Sequence, residues 1–165
     1  MSDILKYICQ IIEHELNIPG QVWIYNNKIN IPNDEKLYVI VSFLTEQIIG
    51  NNVKYETNEN GGLNEISTVN TLASITIDIL SRGTAARDRK AEVLMALFST
   101  YSQQIQCANS FQIARNGFNI TNVSEAEGAA IPYRYNLTFN TTYATSKTKA
   151  VDYYDTFTKD LKTNE

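Results

Sequence analysis

The sequence predicts an α+β domain: an antiparallel β-sheet with a long hairpin, packed on one face against two helices. Apolar residues recur at helical spacing in two segments and alternate with polar residues in two others. An Asn-Gly-Gly cluster stands where a hairpin would turn. The 165 residues, 43% hydrophobic and 19% charged, suit one domain over 1–165, and neither a repeat nor a composition shift divides them.

The first helix is read from Ile4, Leu5, Ile8, Ile11, Ile12 and Leu16, with Ser2 or Asp3 as cap and Asn17-Ile18-Pro19-Gly20 as its end. A short β-prone run over 21–25 leads into a polar connection holding Pro32. Residues 37–44 are almost continuously apolar, as a strand covered on both faces would be. After residues 45–52, a second strand is expected over 53–57, and Asn58-Glu59-Asn60-Gly61-Gly62 turns the chain, because Gly and Asn tolerate positive φ. On the return strand Ala73, Ile75, Ile77 and Ile79 alternate with Ser74, Thr76 and Asp78, so one face is aliphatic and the other polar.

The period then changes. Val93, Leu94, Leu97, Phe98, Tyr101 and Ile105 mark one side of a helix of about six turns, with Thr84 as its cap. Phe118, Ile120 and Val123 suggest a strand, 125–132 a loop, and Tyr133, Tyr135, Leu137, Phe139, Thr141 and Tyr143 one row of a last long strand. The opposite row, Arg134, Asn136, Thr138, Asn140 and Thr142, is wholly polar, and would be solvated in a monomer or line an interface or channel in an oligomer. A tail follows over about 146–165, open to an extended form, with Tyr153, Tyr154 and Phe157 among charges.

Composition excludes several functions. With 14 Lys+Arg against 18 Asp+Glu the net charge is -4, which removes the bulk attraction of a general nucleic-acid binder. A single histidine, His14, and two distant cysteines, Cys9 and Cys107, offer no metal-ligand spacing; both cysteines read as buried free thiols. His14 lies between Glu13 and Glu15 on the polar side of its helix, and no phosphate loop, GxSxG or HExxH occurs, so no catalytic residue and no cofactor is expected. There is no stretch of ~20 apolar residues to span a bilayer and no signal-peptide h-region.

One charge cluster stands out: Arg82, Arg87, Arg89 and Lys90 at the start of the second helix, where cations oppose the helix dipole unless Asp88 and Glu92 offset them. It reads either as a solvated helix start or as a site for a phosphate or a neighbour's carboxylate. A DNA-binding regulator using 82–90 would bind with steep salt dependence, lost on Arg87→Ala and Arg89→Ala.

From residue 72 to 157 the order is a strand Ile75-Thr76-Ile77-Asp78-Ile79, a helix beginning over 85–89, Gly117-Phe118-Asn119-Ile120-Thr121-Asn122-Val123, a loop, and Tyr133-Arg134-Tyr135-Asn136-Leu137-Thr138-Phe139. This resembles the tail-terminator or neck proteins of contractile-tailed bacteriophages, in which an aspartate-bearing strand precedes a helix and a late arginine-containing strand ends the sheet. The Pro32 segment before 37–44, and Ile48-Ile49-Gly50-Asn51-Asn52-Val53-Lys54-Tyr55, are similar to the family's early hairpin. The resemblance implies a structural virion protein that forms a ring, commonly a hexamer, at the head-proximal end of the tail. It would end tail-tube growth, meet tube or sheath and head connector, let DNA pass through its lumen, and be assembled in the host cytoplasm. An adaptor or stopper ring of the head-tail connector is the nearest alternative, separated by which neighbour it binds. The assembly candidates are Arg82, Arg87, Arg89 and Arg134, Asn60 and Gly61 at the hairpin tip, and Tyr153, Tyr154 and Phe157 in the tail. The hairpin tip over 54–63 is expected at a subunit contact or the lumen.

Overall fold

The computed structural model describes residues 3–25, 30–57, 59, 61–124 and 133–151. The expected loop over 125–132, and the candidates Asn60, Tyr153, Tyr154 and Phe157, lie outside them. Among the described residues the order is α1 (Ile4–Leu16), β1 (Val22–Ile24), β2 (Tyr38–Thr57), β3 (Leu63–Ser81), α2 (Ala85–Leu97), α3 (Thr100–Ala108), β4 (Phe111–Ile113), β5 (Asn119–Asn122) and β6 (Tyr133–Val151). The α+β class is as the sequence predicts.

The sheet order is β1-β2-β3-β6-β4, with β5 also on β6. β5 pairs with Tyr135 to Thr138 and β4 with Thr141 to Tyr143, so the two share one edge of β6 end to end. Neighbours are antiparallel except β1, which runs parallel to β2. The parallel pair sets Val22 beside Val39 and Ile24 beside Val41, so the chain returns to the starting end of β1 before β2 begins.

α1 buries every apolar position of its predicted stripe. It stops at Asn17, whose left-handed backbone (φ 50°, ψ 51°) turns the chain, while Glu13 accepts the N–H of Ile18 at its carbonyl and that of Gly20 at its carboxylate. The stripe packs on the aliphatic face of the sheet, where Val39, Val41, Ile75, Ile77, Ile79, Leu137 and Phe139 are almost completely buried. Ala86, Val93, Ala96 and Leu97 of α2 complete this core.

The structure revises several expectations. The strands foreseen over 37–44 and 53–57 are one strand of 20 residues, β2, because bulges at Leu44 and Ile49 each insert an extra residue. Each bulge reverses which side chains face the helices, so no single period-2 pattern covers the strand. The six-turn helix is two helices: Ser99 takes an extended backbone and caps α3 through the Ser102 N–H at 3.0 Å, while the Ser102 hydroxyl donates to the Leu97 carbonyl at 2.7 Å and ends α2. The part of the tail over 146–151 is strand, paired in register with β3 as far as Leu63↔Val151. Neither Asp3 nor Thr84 caps its helix through its side chain: Asp3 binds Lys6 instead.

Cys107 is exposed, and only Cys9 is buried. Burial first, then the nearby Glu13 carboxylate, push the Cys9 thiol up to about 12. At pH 8 its thiolate fraction is therefore on the order of 10⁻⁴. A thiol reagent should label Cys107 alone in the folded protein and both cysteines in urea; fast labelling of Cys9 in the native state would contradict the packing.

Candidate assembly surfaces

Three surfaces follow from this fold. The first is the sheet face away from the helices, which the parity of β3 and β6 makes polar. Across it Ser74 donates to Asn140 at 2.6 Å, Asn136 donates to Thr76 at 2.6 Å and to Asp78 at 3.0 Å, and the Thr68 and Ser146 hydroxyls meet at 2.8 Å. Arg134 grips Asp78 through Nε at 3.3 Å and through a terminal nitrogen at 3.1 Å. The face is therefore ordered by its own side chains, and its Asp and Arg cancel.

Arg134→Ala is expected to cost about 1 kcal/mol, because the guanidinium is half exposed and Asn136 still serves Asp78. The difference from the unsubstituted protein in urea unfolding should shrink at high salt. A cost that high salt leaves unchanged would assign the loss to packing.

The second surface is the cluster after β3, whose cations do not form one patch. Arg82 is exposed, with no ion-pair partner among the described residues. Arg87 bonds Asp88 at 3.0 Å and sits 5.5 Å over the Tyr133 ring; Lys90 lies 4.8 Å over Tyr135. The hydrogen bond from Thr84, followed by the pair with Arg87, holds the Asp88 carboxyl below its usual value, which accounts for Thr84 not capping α2. Arg89 turns the other way, to Glu92 at 2.8 Å and to the Leu16 carbonyl at the end of α1 at 3.2 Å. Arg89 therefore ties α2 to α1, and Arg134 lies on the opposite side of the sheet. His14 stacks on Tyr101 with ring centroids 3.8 Å apart.

The third surface is an arm. Beyond Phe43, Thr71 and Tyr143 the long strands leave the buried core and continue as a three-stranded ribbon with β3 in the middle, and among the described residues the start of α1 lies beside only its first part, at Glu46, Ala144 and Thr145. At ~3.3 Å per residue, β2 runs roughly 45 Å from residue 44 to 57. Leu44, Ile48, Ile49, Val53 and Tyr55 are about half or more exposed along it. Gly61 marks its tip with φ 78° and open space around its Cα. The sequence leads one to expect the hairpin tip at a subunit contact or the lumen and reads these apolar residues as parts of strands and an early hairpin without marking them as exposed, because alternation does not tell a solvated ribbon from a packed strand. Ile48-Ile49 between polar neighbours was the available signal.

Among the described residues no cluster of His, Cys, Asp and Glu could hold a metal, and no helix is long and apolar enough to cross a membrane.

No curated protein matches the sequence. The cryo-EM structure of the sheath/tube terminator of an extracellular contractile injection system (PVC), in its extended state, shares the fold with a TM-score of 0.58 and 15% identity. The likeness covers 99% of this chain and 62% of that one, so this chain spans less than two thirds of that terminator's length. A family described as phage neck terminator protein matches residues 2–164. The match takes in the core, the polar sheet face and the arm alike, and the chain belongs to this family of structural phage tail proteins.

Proposed function

We propose that this protein closes into a ring at the head-proximal end of a phage tail, where it stops growth of the tail tube and offers the head connector a docking surface. The observation that carries the reading is the arm: a three-stranded ribbon too exposed to serve a monomer's core, on a chain of the terminator family. A ring needs surfaces that repeat head to tail and close, and the ribbon supplies them. The partners are further copies of the chain, in a ring of six by the resemblance, together with tube or sheath and connector proteins. The polar sheet face, with its Asp78–Arg134 pair neutralised, suits a lumen that DNA traverses, because few free cations means little counterion release and weak holding. Such a ring is part of the virion, assembled in the host cytoplasm.

Light scattering of the purified protein, with electron microscopy of the protein mixed with unterminated tail tubes, tests this. A ring-sized species, or a cap at one end of each tube with tube length held constant, is expected. A protein that is monomeric at tens of micromolar and leaves tubes uncapped would sink the proposal; a ring that binds connectors but not tubes would assign it to the adaptor position.

A further inference from the structure

We infer, resting on the ring reading above, that neighbouring copies join by strand addition along the arm: the outer edge of β2 on one copy pairs with the outer edge of β6 on the next.

Among the described residues neither edge of the arm is covered. Among the described residues β1 covers β2 only as far as Val41, and β4 and β5 cover β6 only as far as Tyr143. Residues 42–57 and 144–151 thus pair with β3 on one side and turn the backbone groups of their other side outward. Such a row is a template for another strand unless it is blunted. Bulges bend the β2 edge at two points, yet the edge also presents Ile48, Ile49, Val53 and Tyr55, a β-prone apolar set that water would not select.

Charge favours the mixed pairing. Residues 144–151 carry Lys147 and Lys149 and no acid, whereas 44–57 carry Glu46 and Glu56 against Lys54. Two β6 edges brought together would oppose lysine to lysine, whereas at equal height along the arm β2 sets Val53 and Tyr55, not a second cation, beside Lys147 and Lys149.

Direction and closure agree with this. β2 and β6 both run antiparallel to β3, so they run the same way. Copies related by rotation about an axis along the arm would therefore pair β2 with β6 in parallel, head to tail, which is the contact a ring repeats. A β2–β2 contact would be antiparallel and two-fold, and would stop at a dimer. The eight residues of the β6 edge make a seam roughly 27 Å long.

Disulfide trapping tests it in the full-length protein carrying Cys107→Ser, with buried Cys9 left in place. Single cysteines are set on β2 (Gln47→Cys or Asn52→Cys) and on β6 (Ser146→Cys or Thr148→Cys), and each is oxidised alone and in β2-plus-β6 mixtures, with and without tail tubes. Asn52 and Ser146 both flank Thr68 in register, so within one chain they lie about 10 Å apart, too far for a disulfide. At least one mixture should give about tenfold more covalent dimer than either component alone, and Asn52→Cys with Ser146→Cys in one chain should give a ladder ending at the ring size. Equal dimer from a β2 variant alone, or bridges formed only to a tube protein, would overturn the inference. So would no bridges from any combination while scattering still reports a ring, and that outcome leaves the proposed function standing. A monomer that neither bridges nor caps tubes removes both.

Discussion

Phe139→Ala is expected to cost the fold about 3–5 kcal/mol, close to half of what holds a domain of this size together. Phe139 stands opposite Ile75 in the central strand pair and is 1% exposed. Its ring stacks on Phe118 at 5.4 Å, and Phe118 meets Phe98 edge-on at 4.9 Å, so one row of rings ties the middle of the sheet to the end of α2. Alanine would leave a cavity that a flat sheet face and a helix cannot close without breaking register. Urea unfolding should show a much lower midpoint with an unchanged slope, since the same surface is exposed. Phe118→Ala, at a half-buried ring, should cost less. If the Phe139→Ala midpoint moved by the equivalent of under ~1 kcal/mol, the row of rings would not be the centre of the core.

The residues that make this core are those whose alternation or helical spacing is cleanest. Ala73 to Ile79, Tyr135 to Thr141 and the α1 stripe all lie where their periods put them, because a strand or helix with one buried face has no other way to arrange those side chains. Legibility failed where a local device interrupts the period. The two bulges hide the continuity of β2, and Ser99 ends a helix that Tyr101 and Ile105 otherwise extend on paper. Beyond residue 143 the strand β6 carries Thr, Ser and Lys, which read as a tail because a ribbon with both faces in solvent needs no apolar row. Of the candidate surfaces, one contact was legible. The resemblance singled out an aspartate on one strand and an arginine on another, and the structure joins them as Asp78 and Arg134. The cluster over 82–90 looked like one site in sequence, but helical geometry sends Arg87 and Arg89 to different neighbours.

Replacing residues 49–70 by a two-residue Asn-Gly turn should weaken assembly strongly while sparing the core. The register pairs Ile48 with Thr71, so the new turn closes a hairpin directly between them, in the type I′ geometry that a two-residue loop prefers. No described residue between Phe43 and Thr71 belongs to the buried core, so the excision removes ribbon and leaves the helix-covered sheet with its hydrophobic contacts. Stability should change by about 1 kcal/mol, from the lost pairing of 144–151, and unfolding should stay cooperative. Assembly should respond quite differently, because every copy loses most of the β2 edge at once. Binding to tube ends should weaken on the order of 100-fold, or about 2.8 kcal/mol, as read by the concentration needed to cap tubes in the microscope. A shortened chain that still caps tubes at the original concentration would move the assembly surface to the domain itself, and the polar face around Asp78 and Arg134 would be next to test. A shortened chain that fails to fold would instead make the arm part of the folding unit, and Val53→Asp, a change on the exposed ribbon alone, then separates assembly from stability.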